Sequence, residues 1–198
     1  MTQYYVDRVL KNGKRIPVKP GGKRFFGKGM LGWVRKRARR KKQTIIVGVV
    51  ADPREKMRQW MNWALRNTAS IHYAQSRPIP LKAGKAHKLP LTTDCSGSTT
   101  ICAYSAGLPD PNGRKYNGTG YTGTLRDHCK EIKRSQLRVG DIIIYGRGTG
   151  THVVIVYNIT DTDIIVFSHG QESGPRLYTH SIQMAVHGSY CTYHTMVA

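Results

Sequence analysis

Acidic residues are scarce in this chain. Eleven Asp and Glu stand against 32 Lys and Arg among 198 residues, a formal net charge of +21 with histidine taken as neutral. An excess of that size predicts anionic partners, whether nucleic acid, wall polymer or membrane surface, and it says nothing about fold. Long apolar runs are missing as well. None reaches the roughly 18 residues of a membrane span, which excludes an integral membrane protein. Thr2–Asp7 lacks both a basic start and an apolar stretch, so the N-terminus does not read as a signal peptide. Cysteine is sparse, and four in 198 residues do not make a disulfide scaffold. What is present is 39% hydrophobic content, enough for one real core, in a length that suits one domain or one domain with an extension.

The charge is unevenly placed. Residues 1–42 hold 15 Lys/Arg and one acid, Asp7, a net of +14, whereas 43–198 hold 17 Lys/Arg and 10 acids, a net of +7. The split predicts a basic N-terminal arm over 1–43 and a more ordinary domain over 44–198. Within the arm, YYVDRVL at 4–10 and RIPV at 15–18 flank Asn12-Gly13, a strong short hairpin signal because both turn residues must accept positive φ. Pro20-Gly21-Gly22 breaks any regular element, and the run from Arg35 to Lys42 closes the arm. A solvated polycation is the plain reading. Phe25, Phe26, Met30, Leu31 and Trp33 beside that charge suit an anionic membrane surface, and equally suit nucleic acid held by phosphate contacts and stacking.

In the domain, Thr44–Val50 has strand composition. Asp52-Pro53-Arg54-Glu55 is a helix start, with Asp52 as cap, Pro53 at the first helical position and Glu55 three after the cap. Met57, Trp60, Met61, Ala64 and Leu65 then fall on one apolar stripe, which reads as core, and the helix should fade near Ser70. Residues 77–93 read as a loop. A helix is expected from near Cys95 until Gly107 and Pro109 stop it. Residues 110–124, rich in Gly, Asn and Tyr, read as another long loop. Strands follow at Asp141–Tyr145, His152–Tyr157 and Asp163–Ser168, with a last one in 189–197. Helices followed by a strand meander predict an α+β fold.

A nucleophilic thiolate needs a lowered pKa, a nearby imidazole and a group that orients the imidazole. Cys95 sits where a helix begins, whose positive end favours its thiolate. His152 opens a strand and His169 ends the next, and two antiparallel strands can bring them together. Which faces they point to is open at this level. Cys102, seven after Cys95, reads as a packed thiol, and Cys129 and Cys191 have no assigned partner. A zinc site built on His128 and Cys129 lacks a ligand pair of the usual short spacing.

Asp94-Cys95-Ser96-Gly97 at a helix start, then Leu137-Arg138-Val139-Gly140-Asp141-Ile142-Ile143, then His152-Val153-Val154-Ile155-Val156 resemble, in that order, the motifs of the NlpC-type papain-like cell-wall peptidases. Ser168-His169-Gly170-Gln171-Glu172-Ser173-Gly174-Pro175 is similar to a segment of phage-encoded members. The resemblance covers about 52–178. It implies a papain-like α+β core with helices packed on a central antiparallel sheet, and hydrolysis of peptide bonds in peptidoglycan without metal or other cofactor. Carried across, Cys95 is the nucleophile, His152 the general base and acid, and His169 the orienter of the imidazole. Tyr73 matches the tyrosine that lies near the nucleophile and helps build the oxyanion site. Asp94 and Ser96 match positions that contact substrate. The chain departs from the pattern at Ala74-Gln75-Ser76, where a Trp-Gly pair is usual, at Ser98, where a large apolar residue is common, and at Val154, which replaces a common glycine.

The resemblance implies a phage endolysin or virion-carried lysin, located in the virion or at the host wall after release and made without a signal peptide. Its partners would be bacterial peptidoglycan and, through the arm, an anionic wall polymer, membrane or nucleic acid. Two other readings remain: a structural virion protein whose arm binds nucleic acid or neighbouring subunits, and an N-acetylmuramoyl-L-alanine amidase on the same scaffold.

Overall fold

The structure is a computed structural model that describes residues 4–9, 15–16, 44–49, 52–171 and 174–197. They belong to two compact units, Met1–Asp52 and Pro53–Ala198. In the first, β1 (Tyr4–Val9) pairs antiparallel with β2 (Arg15–Ile16) and with β3 (Thr44–Val49), giving a three-stranded sheet in the order β2-β1-β3. The expected hairpin pairing is present as Arg8 opposite Ile16 and Val9 opposite Arg15. Its Asn12-Gly13 turn, Phe25–Trp33 and the basic run 35–42 lie outside the described residues.

The boundary expected between residues 43 and 44 lies at Asp52 instead. The reason is strand pairing: Thr44–Val49 matches all six positions of Tyr4–Val9, from Tyr4 opposite Val49 to Val9 opposite Thr44. A strand's amides and carbonyls need such a partner, so this apolar run joins the N-terminal unit.

The second unit begins with α1 (Pro53–Arg66), followed by a 3-10 turn over Thr68–Ser70. Met57, Trp60, Met61 and Ala64 are buried on its inner face, and Leu65 packs against them half-buried. β4 (Ile71–Tyr73) pairs parallel with β5 (Leu91–Thr93). Between them the stretch read as loop contains a short α2 (Leu81–Lys85), whose Gly84 carbonyl accepts from the Trp60 indole at 3.2 Å. Next come α3 (Cys95–Ala106), α4 (Thr122–His128), β6 (Lys130–Ile132), β7 (Ile142–Tyr145), β8 (His152–Ile159), β9 (Ile164–Ser168), β10 (Arg176–Thr179), α5 (His180–His187) and β11 (Cys191–Thr195). α3 stops as expected at Gly107, whose φ of 76° is a conformation glycine adopts without strain.

The main sheet is antiparallel throughout, in the order β10-β9-β8-β7-β11-β6. Side chains alternate between its faces. On one face Ile142, Ile144, Val153, Ile155 and Phe167 pack with Met57, Trp60, Ile101 and Cys102 of α1 and α3. On the other, Ile143, Tyr145, Val154, Val156 and Val166 form a second cluster with Tyr178, Met184 and Tyr193 around it. The fold is α+β with helices packed on a central antiparallel sheet. Among the described residues no helix is long and apolar enough to cross a membrane.

Candidate active site

α3 carries Cys95 as its first residue, and the local sequence dictates that start. Asp94 caps the helix: Oδ1 accepts from the Gly97 amide at 2.6 Å and from the Ser96 hydroxyl at 3.0 Å. Gly97 has no substitute there, because a Cβ would collide with the Thr93 hydroxyl. Asp94 Oδ2 pairs with the Arg77 guanidinium at 3.0 Å, and the same Arg77 nitrogen donates to Ser96 Oγ at 3.0 Å. Asp94 and Ser96 are therefore buried and satisfied within the protein. The reason is local: a helix start leaves orphan amides that need an acceptor, and the buried carboxylate takes Arg77 as its counter-ion.

Cys95 is 8% exposed, and hydrogen bonding from three donors, the backbone amides of Val153 and Ser96 and the hydroxyl of Thr122, favours its thiolate. Burial pushes the thiol above its ordinary value, the Asp94 carboxylate adds to this, and the three donors act in the opposite direction. Removal from water thus outweighs the helix-start effect expected from the sequence.

His169, 1% exposed, lies on the side of the sheet that α3 covers, in contact with that helix. Its Nδ1 is 2.8 Å from Ser98 Oγ, and Ser98 stands one turn after Cys95, so the ring is anchored beside the helix that carries Cys95. Its Nε2 is buried with no hydrogen-bond partner among the described residues. Tyr73 meets it edge-on, with ring centroids 5.8 Å apart at 84°. Burial pulls the imidazole down to about 4, with the Asp94 charge working the other way.

His152 goes elsewhere. Its strand packs against α3, but its ring belongs to the opposite face. There it stacks on His187 at 4.4 Å and 20°, lies over Tyr145 at 6.5 Å, and its Nε2 meets Ser168 Oγ at 2.9 Å. The sequence expects the His152 ring next to Cys95, and strand parity puts it on the other face: Val153 and Ile155 face α3, so 152, 154 and 156 face away. Burial, then the charges of His187 and His169, pull His152 down to about 3. The structure thus sets His169, with Tyr73 against it, on α3 through Ser98, one turn after Cys95, and leaves the His152 ring behind the sheet.

Ser98 and Thr122 were not legible as site residues. Ser98 stands three after Cys95, the spacing that would have found it. Cys129 is buried with its sulfur 3.5 Å from the Pro111 carbonyl, and His128 Nδ1 meets the Thr124 carbonyl at 3.0 Å. Among the described residues no three His, Cys, Asp or Glu side chains converge as a metal ion would need.

No family model matches this sequence. No curated protein matches it either. Solved structures do. The peptidoglycan hydrolase RipB from Mycobacterium tuberculosis is similar over 74% of this chain and 69% of its own, with 16% identity and a TM-score of 0.42. An NlpC/P60 family protein from Bacillus cereus is similar over 99% of this chain, with 13% identity and a TM-score of 0.52; this chain spans 64% of that protein's length. With helices stacked on one antiparallel sheet and Cys95 opening the buried helix, the chain has the papain-like α+β fold of that NlpC/P60 protein.

Proposed function

We propose that this protein is a cysteine peptidase that hydrolyses peptide bonds of bacterial peptidoglycan. One observation carries the reading: a cysteine at the start of a buried helix shares its side of the sheet with an imidazole held through Ser98 one turn along that helix. The substrate class rests on the resemblance of the Asp94–Gly97, Leu137–Ile143 and His152–Val156 motifs to cell-wall peptidases, and the shared fold of a solved NlpC/P60 protein agrees with it. With His169 Nδ1–H donating to Ser98 Oγ, Nε2 carries the lone pair and acts as base. Cys95 Sγ attacks the scissile carbonyl carbon, its proton passes to His169 Nε2, and the carbonyl oxygen becomes an oxyanion facing the amides at the start of α3. The C–N bond breaks as His169 returns the proton to the leaving amine. Water then attacks the thioester, and the acyl group leaves as a carboxylic acid. Tyr73 walls the imidazole.

A thiol and imidazole that both rest neutral suit proton transfer during attack rather than a preformed ion pair. The setting this reading fits is a lysin, on the resemblance of the 168–175 segment to phage-encoded members. Cys95→Ala should abolish digestion of dye-labelled sacculi while the fold persists, and EDTA should leave the native rate unchanged. Digestion by Cys95→Ala at the native rate would sink the proposal.

A further inference from the structure

Arg77 has no part in the motifs that the sequence displays, and it stands at the start of a stretch that reads as loop. The structure uses all three of its guanidinium nitrogens. Nη2 donates to Asp94 Oδ2 and to Ser96 Oγ, each at 3.0 Å. Nε donates to the Gly120 carbonyl at 2.7 Å, and Nη1 to the Ser76 carbonyl at 2.8 Å. One side chain therefore ties the start of α3 to the segment that leaves β4 and to the loop that enters α4. A lysine, with a single nitrogen on a flexible stem, has no fork to span those acceptors.

At α3 the guanidinium meets a charge beside Cys95. Asp94 precedes Cys95 in the chain, and its Oδ1 accepts from the Ser96 hydroxyl and the Gly97 amide. A carboxylate bonded to residues 96 and 97 lies against the turn that Cys95 opens, and the Asp94 side chain is only 6% exposed. An anion held there, out of water, works against ionisation of the neighbouring thiol. Asp94 thus has two opposed effects: it caps the helix that carries Cys95, and it disfavours the thiolate. Arg77 is its one ion-pair partner among the described residues. The Arg77 side chain keeps 25% exposure, so the cation retains part of its hydration while the carboxylate is withdrawn.

We propose that Arg77 is a positioning residue for the Cys95 chemistry: its guanidinium balances the Asp94 carboxylate, so that the cap holds the helix start without opposing the thiolate formed during attack. The proposal rests on Cys95 being the nucleophile. Arg77 touches no reacting atom, and acts through Asp94 and the turn that Asp94 caps.

The test uses three variants of the full chain: Arg77→Gln, Asp94→Asn and the two combined. Asparagine still caps a helix. Two readouts are taken: the rate of sacculus digestion, and the rate of Cys95 alkylation by iodoacetamide, followed by mass spectrometry of the Cys95 peptide. Only the thiolate reacts, so at about pH 7 the alkylation rate follows the thiolate fraction. Arg77→Gln should alkylate and digest about tenfold more slowly. Asp94→Asn should alkylate about tenfold faster, and the combined variant at close to the native rate. A role in packing alone predicts the other sign for Arg77→Gln, because a loosened helix start exposes the thiol and speeds alkylation. If Arg77→Gln melts early, the combined variant is set against Asp94→Asn, where removing Arg77 strands no buried charge. Alkylation should again fall about tenfold. Alkylation that is unchanged or faster on loss of Arg77, or a deficit that Asp94→Asn does not relieve, overturns the proposal and leaves Cys95 standing. Undiminished digestion by Cys95→Ala removes the foundation instead, whatever Arg77 does.

Discussion

The Cys95 thiol and the His169 imidazole both rest neutral at pH 7, because burial raises the one and lowers the other. A base must be unprotonated to accept the thiol proton, so its pKa sets the acid limb of activity. With His169 at about 4, the rate should hold as pH falls from 7 to about 5 and then drop through about 4. An acid limb near 6.5, the ordinary histidine value, would contradict the burial of the imidazole. The two histidines can also be told apart directly. Losing a general base costs about 10²- to 10⁴-fold in rate, so His169→Gln should fall in that range. His152→Gln touches only the packed back face and should keep the rate within about tenfold. Sacculus digestion by the two variants decides it, and the reverse order would restore His152 as the base.

At the scale of the element, α3 is the part the sequence makes plainest. The Asp94 cap, Gly97 and the Gly107 stop all sit at fixed offsets around Cys95, and each has one steric or hydrogen-bonding reason. Gly97→Ala would push a methyl into the Thr93 hydroxyl and to 3.0 Å from Asp94 Oδ1. Displacing the cap in this way should destabilise the fold by about 1–3 kcal/mol, measured by urea unfolding; an unchanged midpoint would show that the cap tolerates it. The face of β8 was not readable in the same way. His152 through Val156 are all buried, so the polar–apolar alternation that reveals an inward face is absent, and the motif places His152 in sequence without fixing its side. Short elements such as α2, β5, β10 and α5 lack the length for a periodic signal. Ser98 and Thr122 escaped because a lone hydroxyl has no periodicity, and only the contacts across α3, α4 and β9 give it meaning.

At the scale of the whole molecule, charge and chemistry occupy different units. Residues 1–42 carry a net +14 within the unit Met1–Asp52, whereas Cys95, His169 and both sheet-face cores belong to Pro53–Ala198. Because Thr44–Val49 pairs with Tyr4–Val9, cutting after residue 42 would orphan β3; the clean truncation removes 1–52. The truncated protein should remain soluble and keep Cys95 reactive, yet lose binding to an anionic partner. Counterion release makes that binding fall steeply with salt. Filter binding of duplex DNA beside pull-down on purified walls, at about 50 and 200 mM salt, names the partner. Salt-independent retention, or full binding without residues 1–52, would refute the electrostatic role.

The most direct test is the chemistry of the products released from purified sacculi. Mass spectrometry should find fragments that gain one water at a peptide bond, with a new amino group and a new carboxyl group, produced by the native chain and absent with Cys95→Ala. Fragments opened at a glycosidic bond, fragments cut at the sugar–peptide link, or peptide cleavage that continues without the Cys95 thiol would contradict a cysteine peptidase built on Cys95 and His169.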